Sequence, residues 1–591
     1  MMNINMENDD VITAGARKLL LIVSCIGIAG CLLALIPQIR SAIITFGENA
    51  ILHRMLINRE LWNMQLLLTS IAGLLISGAL LFSISPKFQM PQFPAEKKTS
   101  FYTLIEILLI ALFLLLVVIL ATSNQSVWLD EVYSLTPTRH SWNDLIHIQS
   151  ADVHPPLYFL ILKLCAGVFG ENVFTMKMVS VLPAVLTMIF ATLFLNKEFS
   201  HKTAVLFLLC FIASESVVHY SIEIRMYSWA LFFVTMTAVS AWYIITTGKT
   251  KWYAAFLLCA EGAAYTHIYA GLTVGIGYLL LLCYVLKWDR ENMLKTFILA
   301  PLAVLFYLPW LFIIINSFTR ASNDFWIQPL NLKTIAGYVV FIFNAGNPIM
   351  TLVFFLLFVA VFYLFLIQTK TQKELFAFAG LSCISILALT GIIVSFLIRP
   401  LLADRYLFPA CALVWLFFAI VCGSIKNKRI IVFVCSVLLV LGFTTFSSSI
   451  YREQKENTEF LQFYSYLKQE ITPQDLFIFP PKESCHLPGM TAYLFPGHGH
   501  VYKGRNFGLA PAFWEMFDRT LIKYKDLADT GEFQGRGAWV IVSEKDYQGK
   551  PMDFVIPPES GAEFRGDFGW GFYRFKLYYT ESPGAFSNPD I

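Results

Sequence analysis

The chain has 591 residues, of which 57% are hydrophobic and only 14% charged, with a mean hydropathy of +0.63. A soluble domain carries roughly a quarter charged residues, so this composition excludes an ordinary soluble enzyme. It marks a polytopic membrane protein with room for a large bundle plus one small soluble domain, and the net charge of +3 does not suggest nucleic acid as a partner.

The first apolar run, Leu19 to Ile39, follows Arg17 and Lys18. It is long for a signal-peptide core and lacks a small-residue cleavage site, so it reads as a retained anchor helix. A spanning helix needs about 20 apolar residues. By that rule the chain holds about thirteen spans, near 18–39, 62–85, 101–123, 174–196, 203–221, 227–247, 252–268, 269–286, 296–315, 350–368, 375–398, 406–424 and 430–449. Residues 156–169 are apolar but short and follow Pro155 and Pro156, which reads as a helix lying along the membrane interface; 333–345 reads the same way.

Lys and Arg in short loops set the orientation. One alternate set of loops is basic throughout: Arg17 and Lys18; Lys87, Lys97 and Lys98; Lys197 and Lys202; Lys249 and Lys251; Lys287, Arg290 and Lys295; Lys370 and Lys373; Lys426, Lys428 and Arg429. This set, with the N-terminus, is expected in the cytoplasm, and the tail from about 451 on the opposite face. The tail is polar. Asp475–Phe479 and Ala538–Val542 look like buried strands, Tyr573–Tyr578 alternates like an edge strand, and Glu459–Gln469 has helical spacing, together a small α/β domain. Three units follow: two extra N-terminal helices with a cytoplasmic linker (1–100), a transmembrane catalytic core (101–450) and a soluble extracytoplasmic domain (451–591). Most cysteines lie inside apolar runs and read as small buried hydrophobes; the tail holds only Cys485, so no disulfide framework is expected there.

Five segments on the outer side carry unusual polar residues. Trp128-Leu-Asp130-Glu131 and Asp152-Val-His154-Pro-Pro-Leu-Tyr158 follow the third span; Glu223-Ile-Arg225-Met-Tyr227, His267-Ile-Tyr269 and Asp404-Arg405-Tyr406 join later spans. Ionisable groups beside hydrocarbon are costly and point to function. Asp130 or Glu131 can act as a general base on a hydroxyl or bind a divalent cation; the alternative is a solvated loop acid or a helix cap, with Trp128 an interfacial anchor. Asp152 and His154 can face a metal or a phosphate, or form a surface turn. Alternation along an extended stretch puts Glu223, Arg225 and Tyr227 on one face, where Arg225 suits a phosphate or pairs internally with Glu223. His267 can bind a metal or a sugar, or be a satisfied buried histidine. Arg405 can hold a lipid phosphate or snorkel to the interface. Asp324, Phe325 and Trp326 read as a sugar-stacking edge or an aromatic belt, and His486, His498 and His500 as a weak metal cluster.

The ordered set Trp-x-Asp-Glu, Asp-x-His-Pro-Pro-Leu-Tyr, Glu-x-Arg-Met-Tyr, His-x-Tyr and Asp-Arg-Tyr with Pro409, over roughly 100–410, resembles bacterial GT-C fold glycosyltransferases. The nearest group is that of the protein O-mannosyltransferases and the lipid A aminoarabinose transferase. The resemblance implies a GT-C-like all-α membrane bundle in the bacterial cytoplasmic membrane. Its members move a sugar, with inversion, from a polyprenyl-phosphate donor to a glycolipid, glycan or protein acceptor on the outer face. It carries a catalytic role to Asp130 and loosely to Glu223, beside Glu131. Arg225, Arg405, Tyr227 and Tyr406 fall to the donor phosphate. Asp152, His154, His267 and Tyr269 lie near the acceptor, the sugar or a divalent metal, which some members carry. The extra N-terminal helices, and the absence of the large luminal insert of eukaryotic mannosyltransferases, depart from that pattern. The competing class is a transporter or flippase for lipid-linked sugars, or a binding scaffold; a transporter should show repeats or paired broken helices, and no repeat is present.

Overall fold

The computed structural model describes residues 95–151, 154–320, 327, 329–481, 483, 486–501, 521–522, 535–545 and 550–586, with isolated positions between 29 and 77. The spans expected at 18–39 and 62–85, the unit 1–100 apart from its last residues, Asp152, Asp324, Phe325, Trp326 and Cys485 lie outside the described residues.

Among the described residues the bundle begins with α1 (Ala95–Ser123), followed by three short helices, α2 (Leu129–Leu135), α3 (Trp142–Ala151) and α4 (Leu157–Phe169). The succession continues with α5 (Val173–Glu198), α6 (His201–Ala213), α7 (Glu215–Ile222), α8 (Tyr227–Thr247), α9 (Thr250–Thr266), α10 (Ile268–Trp288), α11 (Met293–Arg320), α12 (Leu332–Phe343), α13 (Pro348–Ile367), α14 (Gln372–Leu397), α15 (Cys411–Gly423) and α16 (Lys428–Glu470). Nine of the described helices are long and apolar enough to cross a membrane, with α15 counted together with the helical turn Asp404–Ala410 before it, and ten if the α6–α7 pair counts as one bent span. The run expected as a span at 252–268 forms α9, which at 17 residues is not among them. The short helices expected at 156–169 and 333–345 are present as α4 and α12.

Local chemistry sets the helix starts. Asn172, Ser200, Asn331, Asn347 and Asn427 each accept an amide of the first turn, satisfying donors that have no partner inside the helix. Thr371 and Glu374 form a capping box on α14. The 70° bend between α6 and α7 falls at Ser214. There Glu215 N donates to Asn344 O (2.8 Å), Asn344 Nδ2 donates to Glu215 Oε2 (2.9 Å), and Arg452 of α16 pairs with the other oxygen of Glu215. Gly346 lies beside this junction at φ +86°, where a Cβ would come within 2.8 Å of Thr444 O; only glycine suits both conditions.

The helix expected at 459–469 is the end of α16, which runs 43 residues unbroken through position 450 and carries the chain out of the bundle. It leads to a six-stranded sheet of order β3-β2-β1-β4-β6-β5. The strands are β1 (Leu476–Ile478), β2 (Gly499–Val501), β3 (Leu521–Ile522), β4 (Ala538–Ser543), β5 (Glu563–Trp570) and β6 (Tyr573–Thr580), and α17 (His486–Leu494) crosses from β1 to β2. The first four pair in parallel; β6 pairs antiparallel with β4 and β5. Tyr573–Tyr578 is thus an interior strand rather than an edge, and its partner β5 takes the edge. Arg574 donates two 2.8 Å bonds to Glu459, clamping the hairpin to α16. One apolar core runs through both units: Leu129 and Val132 of α2, Phe460 and Phe463 of α16, Leu487 and Met490 of α17, and Phe477, Trp539 and Trp570 of the sheet. That shared core packs the tail domain against α2, the helix carrying Asp130.

Candidate active site

Five bundle segments and α17 meet at one end of the bundle. The basic loops meet at the other: Lys202 Nζ donates to Ile425 O at 2.8 Å, and Lys373 Nζ reaches Glu198 O.

Asp130 lies in the first turn of α2, and its Oδ2 accepts from Arg405 Nη1 at 2.8 Å. Arg225 grips the same helix from the α7–α8 turn: Nη1 donates to Asp130 O (3.1 Å) and Ser134 Oγ (3.2 Å), while Nη2 lies 3.3 Å from His154 Nε2. Burial pushes the Asp130 carboxyl up, but Arg405, Arg225, His486 and His154 outweigh it and hold it below its usual value. Glu131 is buried with both oxygens on backbone amides, Oε1 on Ile224 N (3.0 Å) and Oε2 on Trp128 N (3.2 Å). It ties α2 to the turn that carries Arg225. Burial raises the Glu131 carboxyl, against the pull of Lys177.

Glu223 and Arg225 belong to a tight turn, with Arg225 N donating to Glu223 O at 2.7 Å, rather than to the extended alternation expected. Trp128 serves the cluster directly: its indole Nε1 donates to Glu223 Oε1 at 3.1 Å. Glu223 Oε2 is buried without a hydrogen-bond partner, as is Arg225 Nε. Burial, and then the charges of Glu131 and Asp130, push the Glu223 carboxyl up to about 8, so it is mostly protonated at neutral pH.

Below this acid–arginine cluster lies an aromatic floor. Tyr227 and Tyr406 each stand 5.5 Å from His267, and Tyr269 stacks on Tyr406 at 4.7 Å. Tyr269 Oη donates to Leu401 O. His267 caps α10, its Nδ1 accepting from Tyr269 N at 3.2 Å. Burial pushes His267 well below its usual value, so it is neutral.

The tail supplies a member that the motifs did not reveal. His486 opens α17, which packs on α2, and its ring lies 5.0 Å from Tyr573. Burial lowers it, and its electrostatic neighbours are Asp130, which raises it, and Arg405. The other end of α17 is held by Arg139 over the Tyr493 ring (4.0 Å) and by Tyr493 Oη donating to Glu171 (2.9 Å). His498 and His500 lie apart from it, His500 stacked on Phe477 at 4.9 Å.

Among the described residues no group of three or more His, Cys, Asp or Glu converges as metal ligands. The donor atoms nearest Asp130 are already engaged: Asp130 Oδ2 by Arg405, His154 Nε2 by Arg225 and His267 Nδ1 by an amide. The described residues assemble no divalent-ion ligand set, and Asp152 lies outside them. The arrangement offers cationic groups to an anion: Arg405 pairs with the Asp130 carboxylate, Arg225 binds the Asp130 backbone beside it, and Glu223 is mostly neutral.

A polytopic helical bundle of GT-C type, with a small α/β domain packed on the helix that carries Asp130, is the class that this architecture defines. Solved structures with a similar fold include ArnT from Cupriavidus metallidurans in the apo state (TM-score 0.55, 11% identity, covering 82% of this chain and 98% of that one) and the same protein bound to undecaprenyl phosphate (TM-score 0.57, 11% identity, covering 80% and 97%). No protein-family model matches the chain, and no curated protein sequence does.

Proposed function

We propose that this protein is a membrane glycosyltransferase that moves a sugar from a polyprenyl-phosphate donor to a hydroxyl acceptor on the outer face of the bacterial cytoplasmic membrane, with inversion. The observation that carries this reading is the pairing of Asp130 with Arg405 beside Arg225, an acid with two guanidinium groups at one end of the bundle. The fold likeness to a structure whose lipid is undecaprenyl phosphate supports it.

The chemistry follows from charge. A donor phosphate competes with Asp130 for Arg405, because a phosphate offers more oxygens to a guanidinium than one carboxylate does. When Arg405 turns to the phosphate, Asp130 loses its strongest partner and its carboxylate becomes more basic. The acceptor hydroxyl then attacks the anomeric carbon from the face opposite the phosphate. Its proton passes to Asp130, the new acceptor oxygen–carbon bond forms, and the carbon–oxygen bond to the phosphate breaks. Arg405 and Arg225 hold the charge gathering on the leaving phosphate. Neutral Glu223, with Oε2 unpaired, donates to a sugar hydroxyl or a phosphate oxygen. His486 closes the site from the tail. The acceptor is a glycolipid, a cell-envelope glycan or a protein.

The test incubates the purified protein with radiolabelled polyprenyl-phosphate sugars and an envelope extract. Label appearing on a lipid, glycan or protein supports the enzyme and names the acceptor. Donor binding with no transfer from any donor contradicts it and favours a transporter or scaffold.

A further inference from the structure

An apolar slot of about 360 Å³ runs between α8, α10, α14 and α15, with its mouth at the end opposite the candidate site. Small residues make the space: Ala238 and Ala241 on α8, Gly277 on α10, and Ala377 and Gly380 on α14. A Cβ at Gly277 would meet only Cys383 Sγ, at 3.7 Å, so nothing but absent side chain creates the gap there. Along α10 the slot runs from Thr273 to Trp288, about 22 Å at 1.5 Å per residue. An apolar space of that length inside hydrocarbon suits one extended chain.

The two ends of the slot differ. Toward the candidate site it stops beneath the aromatic floor, where Thr273 Oγ1 donates back to Tyr269 O at 2.7 Å and Tyr269 stacks on Tyr406. At the far end its mouth is polar and exposed. Lys287 Nζ stands 4.3 Å over the Trp288 ring, and Gln372 Nε2 donates to Tyr284 Oη at 2.9 Å. An ammonium and an amide at the mouth of an apolar slot match an anionic headgroup above a hydrocarbon chain.

We propose that this slot binds one acyl chain of an anionic glycerophospholipid from the leaflet at the basic end, with its phosphate at Lys287. The closed floor separates this lipid from the donor, whose phosphate belongs at the opposite end. The site is independent of the glycosyltransferase reading.

The full-length protein in neutral detergent is titrated with phosphatidylglycerol, with phosphatidylcholine of the same chains, and with undecaprenyl phosphate, following lipid adducts by native mass spectrometry and Tm. The expected result is one tightly held phosphatidylglycerol, at least about tenfold preferred over phosphatidylcholine (1.4 kcal/mol per tenfold), with a rise in Tm. Gly277→Leu fills the slot and abolishes the adduct, and Lys287→Gln removes the preference. Equal retention of both phospholipids, displacement of phosphatidylglycerol by undecaprenyl phosphate, or an unchanged adduct in Gly277→Leu overturns the proposal. If Gly277→Leu does not fold, Lys287→Gln decides alone: a retained preference overturns it.

Discussion

Trp128 and Glu223, 95 positions apart, are joined by a 3.1 Å hydrogen bond from the indole to one carboxyl oxygen. The bond holds Glu223 while leaving its second oxygen buried and unpaired. With a carboxyl pushed up to about 8 against about 4.3 in the unfolded chain, the folded protein binds the extra proton throughout that window. Stability contributed by this proton is present below about pH 4.3 and is lost as pH rises through about 8. The expected outcome is a Tm that falls from pH 5 to pH 9 in the wild type and falls less in Glu223→Gln. Parallel Tm curves for the two proteins would contradict the assignment.

His486 brings the tail into the site. His486→Ala should lower transfer by about tenfold or more while leaving the melting temperature within about 2 °C, since a half-buried ring edge contributes little to a shared core of this size. Transfer and Tm measured together check this. Loss of stability with unchanged specific activity would make His486 a packing residue only.

Arg452 pairs with Glu215 at the α6–α7 bend and lies 3.6 Å from Glu453. Asn124 Nδ2 donates to that second acid at 3.0 Å, and Lys177 Nζ donates to Asn124 O at 2.7 Å. Arg452→Met leaves buried carboxylates without their cation, a change that costs about 3–5 kcal/mol. Denaturation of Arg452→Met and of the pair Arg452→Met with Glu215→Gln should show the double variant to be the more stable of the two. A double variant as weak as the sum of the singles would mean that the residues do not couple.

Much of this was legible in the sequence. The spans from 101 onward follow from unbroken apolar runs, and Asp130, Arg225 and Arg405 stood out because charge beside hydrocarbon needs a reason. Other features depend on partners that no local pattern reveals. Trp128 looks like any interfacial tryptophan until Glu223 arrives from another segment. The stretch 450–458 is too polar to read as a span, yet it is helical, so the continuity of α16 was hidden. With it was hidden the packing of α17 on α2, which alone places His486. Strand β6 alternates enough to pass for an edge because β5, rich in glycine and charge, offers a poor strand signal.

The central claim is that Arg405 exchanges Asp130 for the donor phosphate and that Asp130 then takes the acceptor proton. Donor binding and single-turnover transfer measured on the same preparations of wild type, Asp130→Asn and Arg405→Gln test it directly. The account predicts that Asp130→Asn binds polyprenyl-phosphate sugar at least as tightly as the wild type, with transfer reduced about 10²- to 10⁴-fold, whereas Arg405→Gln loses donor binding. Wild-type transfer by a folded Asp130→Asn, or unchanged donor affinity in Arg405→Gln, would contradict it.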